Sequence, residues 1–219
     1  MRTYLSPIGY DTRRVTRPVV NTGLGGDDRV YLLRPDQESD TERATQAVAD
    51  TKQLLQEIEP QAECRVKYVS IDSFDATIQD CCKTLSNVAH ERTTIVSLGG
   101  GARDILLPLT VAASVFAETI DTTLFFSDLD STLTEWTLPR FGAQIPPRTT
   151  ETFGLICEYR NWISLSEITD QLDQSKSTVI RHVNDLEEAG LVESDTTEKM
   201  KKVRVTLGGE LLQLTRNQN

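Results

Sequence analysis

Strand-like and helix-like segments alternate along residues 1–138, and this alternation restricts the fold more than any other feature. Runs suited to strands are "RTYLSPI", "DRVYLLR", "CRVKYVSI", "TTIVSL", "TTLFFSDL" and "STLTEWTL", the last read as an edge strand. Helix-like segments separate them: "DTRRVTRPVVNTGL", "SDTERATQAVADTKQLLQEI", "SFDATIQDCCKTLSNVAHE" and Ala102 to Glu118. Pro18 is expected to limit the start of the first. In the second, Ala47, Leu54, Leu55 and Ile58 predict one apolar stripe, with Ser39 or Asp40 as cap; Asp72 or Ser73 should cap the third. Such alternation implies an α/β fold, a Rossmann-like, mostly parallel six-stranded sheet covered on both faces. Ligands then bind beyond the carboxyl ends of the strands, which singles out "GYDTRR", "RPDQESD", "DSFD" and "GGGAR".

The pattern breaks at "PRFGAQIPPRTTET", whose prolines and Gly142 make it a linker or bent connection, with residues 139–149 taken as the linker. Beyond it, "TFGLICEYRNWI", "SLSEITDQL" and "QSKSTVIRHVNDLEEAG" read as three helices, followed by a two-stranded turn that includes "KMKKVRVTL". That order is a winged helix-turn-helix domain over residues 150–219. Val179, Val183 and Leu186 form the buried stripe of the third helix, Ile168 and Leu172 the matching stripe before it, and Gly190 the left-handed stop. The opposite face should present Ser175, Lys176, Ser177, Thr178, Arg181 and His182 to double-stranded DNA, with Arg181 reaching a guanine edge. Lys199, Lys201, Lys202 and Arg204 would hold the DNA backbone from the wing. Asp185, Glu187 and Glu188 must then lie away from DNA.

Charge does not decide the partner. The net charge is −10, and arginine outnumbers lysine 16 to 7. This balance suits a high-salt cytoplasm, as in halophilic archaea, and any basic site must be local. The early charge in "MRTYLSPIGYDTRR" argues against a secretory signal, and no apolar run is long enough for a membrane span, so a cytoplasmic protein with no membrane partner is expected. Cys64, Cys81, Cys82 and Cys157 form no C-x-x-C pair, and His90 and His182 lie far apart. Reduced, partly buried thiols and no metal site are expected.

The N-terminal half offers two ligand loops. In "SPIGYDTRR", Gly9 allows close approach to the backbone, Tyr10 can stack on a base and Thr12 can bond phosphate, with Asp11 and Arg13 beside them. Arg14 and Arg17 read as a solvated helix face. In "SLGGGAR", Gly99, Gly100 and Gly101 lead into a helix N-terminus able to take phosphate, and are expected to leave room for a ligand, with Arg103 as charged clamp. The loop lacks the Lys-Ser/Thr of a nucleotide hydrolase. No G-x-G-x-x-G follows the first strand, which argues against a dinucleotide enzyme.

Together these features resemble the CRISPR-associated Rossmann-fold (CARF) transcription regulators of archaea. The family's fourth-loop pattern is matched by Ser97, Leu98, Gly99, Gly100, Gly101, Ala102 and Arg103, and its first loop more loosely by "LSPIGYDTRRV". Ser97 stands where the family often has Asp. The resemblance implies a homodimer with residues 1–138 as the sensing and dimerisation domain. It also implies a cyclic oligoadenylate, often the tetra-adenylate, across the two-fold axis, and control of CRISPR-associated genes. No cofactor and no catalytic residue are expected. Two alternatives stay open: a metal-independent ring nuclease that cleaves its own ligand, with Thr12, Ser97 and Arg103 available, and a regulator that senses another nucleotide or none.

Overall fold

The computed structural model describes residues 1–37, 41–89, 93–159, 161–197 and 200–216. Contacts divide the chain into two compact units, Met1–Leu138 and Pro139–Asn219.

In the first unit, strands β1 (Arg2–Pro7), β2 (Arg29–Pro35), β3 (Glu63–Val69), β4 (Thr93–Ser97), β5 (Thr122–Phe126) and β6 (Leu133–Glu135) form one sheet of order β3-β2-β1-β4-β5-β6. The first five run parallel, and β6 closes the edge antiparallel to β5. Helices α1 (Arg13–Thr22), α2 (Thr41–Ile58), α3 (Phe74–Ala89) and α4 (Arg103–Val115) cover it. The two-residue period of a strand sorts the buried side chains. Tyr4, Leu32 and Ile95 pack with Val15 and Val19 of α1 and Ala47, Val48 and Leu55 of α2. Their neighbours Leu5, Leu33 and Val96 pack with Cys81 and Leu85 of α3 and Ile105, Leu109 and Ala112 of α4. The doubly covered sheet expected from the alternation is therefore present, because each central strand carries apolar residues on both faces.

Two local expectations are corrected. Pro18 sits inside α1 rather than at its start. On α2, Leu54 and Ile58 are exposed, and the buried stripe is Ala44, Ala47, Val48, Thr51 and Leu55. The Thr51 hydroxyl tolerates burial by donating to the Ala47 carbonyl at 2.8 Å. Ser73 caps α3 by accepting from the Ala76 amide, whereas Ser39 and Asp40 lie outside the described residues.

The second unit contains a short 3₁₀ turn (Pro147–Thr149), α5 (Thr150–Tyr159), β7 (Ile163–Ser164), α6 (Leu165–Leu172), α7 (Lys176–Glu188), β8 (Val192–Asp195), β9 (Lys202–Val205) and α8 (Leu207–Arg216). The sheet is three-stranded, β7-β9-β8, rather than two-stranded, because the helix expected through residue 163 ends at Tyr159 and Ile163 pairs with Val203. Phe153, Ile156, Ile168, Val179, Val183, Leu186 and Val203 form its core. Ser164 and Glu167 make a reciprocal capping box at the start of α6. The α7 terminus is a Schellman motif: Leu191 donates to the Leu186 carbonyl and Gly190, at φ +70°, to that of Glu187.

Residues 139–149 are not a separate linker. Ala143 and Ile145 pack on this core, Arg140 donates to the Glu188 carbonyl, and Arg148 binds Asp185 through two contacts of 2.8 and 2.9 Å. Apolar side chains between the prolines bring the segment onto the second unit. The described cysteines are free; burial pushes the Cys81 thiol up to about 12 and those of Cys64 and Cys157 to about 11, so they stay protonated. Among the described residues, no helix is long and apolar enough to cross a membrane.

Candidate functional site

Strands β1 and β4 lie side by side at the sheet centre, and the chain leaves them toward opposite edges. This is the point at which an open α/β sheet leaves a crevice beyond its carboxyl ends. The first loop, residues 8–12, and the fourth, residues 98–102, meet there. A Cβ on Gly9 would lie 3.3 Å from the Gly101 Cα. Gly101 has φ +89°, and a Cβ there would come within 2.4 Å of the Pro7 Cβ. A Cβ on Gly99 would meet Phe126 at 2.4 Å, and one on Gly100 the Arg14 stem at 2.7 Å. The glycines were expected to leave room for a ligand. Instead they let protein segments approach each other, and Gly99 and Gly100 are buried.

What faces outward is narrower than the motif. Ala102 occupies the N-cap of α4 and has no side-chain oxygen, so the first amides of that helix lack a side-chain cap. Arg103 and Asp104 are exposed beside them. Leu98 is not part of the exposed surface; it packs among Val96 and Ile105. Ser97 is 5% exposed, and its Oγ has no hydrogen-bond partner. On the first loop, Tyr10 is half exposed with the Arg43 guanidinium 4.3 Å from its ring centroid. Thr12 is the N-cap of α1 but makes no side-chain cap bond. Arg13 donates to Asp11 at 2.9 and 3.1 Å, which holds the Asp11 carboxyl below the usual carboxylate range. The structure thus brings Gly9 and Gly101 together. Arg103 lines a cleft of about 160 Å³ with Ile71, Ser73, Phe74, Thr77 and Leu107, to which the first loop contributes no residue.

Of the two arginines read as a solvated helix face, Arg17 is exposed, whereas Arg14 is half-buried. The Arg14 Nη1 donates to the Gly99 carbonyl at 3.2 Å and pairs with Asp128, and its Nε lies 3.5 Å from Asp11. Arg17 lies 5.7 Å from the Phe126 ring centroid and donates to the Ser131 carbonyl at 3.4 Å. The loop after β5 therefore joins the other two. Its position at a strand carboxyl end was the available signal.

On the second unit, the face of α7 opposite its core carries Lys176, Ser177, Ile180, Arg181 and Asn184, all exposed. Ser175 is exposed too, as N-cap accepting from the Thr178 amide, while Thr178 is only half exposed. His182 is corrected: it is buried at 5% exposure, with Nδ1 2.9 Å from the Thr152 hydroxyl. Burial, then the nearby Arg181 charge, lowers its pKa and keeps it neutral. Residues 179, 182, 183 and 186 recur at i, i+3, i+4 and i+7, so the stripe itself contained the signal. Residues 177, 180, 181 and 184 repeat that spacing on the outer face, and so add Asn184 and Ile180 to the expected set.

The wing is less free than its sequence implied. Lys201 pairs with Glu187 at 2.9 Å, and Arg204 pairs with Glu193 with its guanidinium 4.7 Å from the Trp162 ring centroid. Lys202 interacts electrostatically with Glu167 and Asp195. Lys199 lies outside the described residues. Asp185 and Glu187 are engaged by Arg148 and Lys201. Glu188 is exposed at the far end of α7 from Ser175.

Residues 2–135 match the Csa3 CRISPR-associated Rossmann-like domain. Residues 160–194 match the arsR family of bacterial regulatory proteins. Comparison with curated proteins returns no match. Among solved structures, the chain is similar to Enterococcus italicus Csm6 bound to cyclic hexa-2′-fluoro-hexa-dAMP, at 12% identity and TM-score 0.55, over 87% of this chain and 52% of that one. It is also similar to protein VC1899 from Vibrio cholerae, at 9% identity and TM-score 0.44, over 96% of this chain and 63% of that one. The chain thus spans 52% and 63% of the lengths of these two proteins.

Proposed function

Because the chain belongs to the Csa3 CRISPR-associated Rossmann-like family, we propose that it is a CRISPR-associated DNA-binding regulator controlled by a cyclic oligoadenylate, the tetra-adenylate first among them. The observation that carries this reading is the meeting of the first and fourth loops at the carboxyl ends of β1 and β4. There the side-chain-uncapped α4 N-terminus and the first loop offer phosphate contacts, in a chain that also holds a winged helix. Amides at a helix N-terminus favour an anion, and Arg103 adds a charged donor. The similarity to a Csm6 solved with a cyclic hexa-dAMP analogue supports the ligand class.

The working form is a homodimer. An even-numbered cyclic oligonucleotide can share the two-fold axis of an isologous pair, so each protomer would contribute one copy of the fourth loop. Lys176, Ser177, Arg181 and Asn184 would face the DNA, and ligand would shift the affinity of the paired winged helices for a palindromic operator. We assign regulation rather than catalysis.

The test has three parts. Calorimetry with cyclic tetra- and hexa-adenylate should show one ligand per two chains. Anisotropy with labelled operator DNA should change on adding the ligand. Chromatography of the incubated ligand should return it intact; linear product would make the protein a ring nuclease, and absence of binding would remove the ligand assignment.

A further inference from the structure

The geometry points to Arg14 as an anion-binding residue of the proposed ligand site that Asp128 occupies in place of a ligand phosphate. This inference rests on the placement of that site. Arg14 stands at its centre: its stem lies against Gly100, its Nη1 bonds the Gly99 carbonyl, and its Nε approaches Asp11. The Arg14 side chain is 30% exposed, so it is not sealed from solvent. Of its two carboxylate partners, Asp11 is already held by Arg13. Asp128 comes from the loop after β5 and is 65% exposed.

That loop is tied down by polar contacts. Its internal bonds link Ser127 to Thr132 and Ser131 to Ser127, and Thr132 to Asp130. Its described ties outward from residues 128–131 are the Arg14–Asp128 pair and the bond from Arg17 to the Ser131 carbonyl. The Leu129 side chain at the tip is 99% exposed, and its amide donates to the Ser127 Oγ at 3.2 Å. An arginine fork prefers a phosphate as readily as a carboxylate. A phosphodiester reaching the fourth loop therefore competes with Asp128 for Arg14, and its success loosens residues 128–131. The carboxylate acts as an internal competitor, so apparent affinity is lowered by the fraction of chains in which Arg14 is engaged.

Calorimetry of the full-length chain with cyclic tetra-adenylate tests this. Asp128→Asn removes the competing charge at a position whose side chain is 65% exposed. It is expected to bind about two- to fivefold more tightly, the range set by a half-exposed ion pair. Arg14→Lys, which keeps the stem and the charge but not the fork, should bind more weakly than wild type. Hydrogen exchange of residues 128–131 should quicken on adding ligand to wild type and be quick from the start in Asp128→Asn. If wild type binds and Asp128→Asn binds equally or more weakly, the competition is overturned while the site stands. If neither binds, the site assignment itself falls.

Discussion

Replacing Gly101 by alanine separates packing from ligand space. Gly101 and Gly23 share nearly the same φ, +89° and +87°, but not the same surroundings. A Cβ on Gly23 would meet only the Arg2 guanidinium at 3.8 Å, an ordinary contact. A Cβ on Gly101 would stand 2.4 Å from the Pro7 Cβ and 3.0 Å from the Pro7 carbonyl carbon, where neither ring nor backbone can yield. Gly23→Ala therefore carries backbone strain alone, about 1–3 kcal/mol. Gly101→Ala adds an overpacking cost of about 1–3 kcal/mol, for a total of about 2–6 kcal/mol. The difference can be read by urea unfolding in a Trp162→Phe background, where Trp136, stacked on Phe125 at 4.0 Å, reports on the first unit. Gly101→Ala should unfold at clearly lower urea than Gly23→Ala with the same slope. Equal midpoints would refute the packing role and restore the idea that the glycine is there to admit a ligand.

Arg103→Ala should weaken cyclic oligoadenylate binding about tenfold, the loss of one charge-assisted contact, and leave DNA affinity without ligand unchanged in anisotropy. Arg181→Ala or Asn184→Ala should reduce discrimination between operator and scrambled DNA, each by about 1–3 kcal/mol, whereas Lys176→Ala should weaken both alike and lower the salt slope. Lys201→Ala should change that slope less than Lys176→Ala, because Glu187 already neutralises Lys201. His182, held neutral by burial, has a folded pKa below its unfolded value near 6.5. Its contribution to stability is therefore full above that value and declines as pH falls below it. Melting of the second unit should drop between pH 7 and 5 in wild type, and less steeply in His182→Gln.

How much could be read beforehand depended on range along the chain. On α7, Val179, Val183, Leu186 and the Gly190 stop are consequences of helical period and left-handed backbone within a few residues, and all four were legible. His182 was legible too, had the i+3 position been counted with i+4. Leu54 and Ile58 were misassigned because two apolar residues at helical spacing do not reveal which side the sheet covers. The outward α7 face was only partly read because Ile180 lacks polarity and Asn184 lacks charge.

Sequence by itself determined the layered α/β unit, the winged-helix elements and the two loops at the carboxyl edge. Each follows from backbone periodicity, capping and turn chemistry, which act between near neighbours. Only the tertiary structure decided what those loops do to one another. Arg14 finds Gly99 across 85 residues and Asp128 across 114, and the row of glycines is explained by Pro7, Arg14 and Phe126 lying against it. Those meetings depend on strand order, which places β1 between β2 and β4 and sets β5 beside β4. No local pattern encodes that order, because it is selected by burying two faces of a sheet at once.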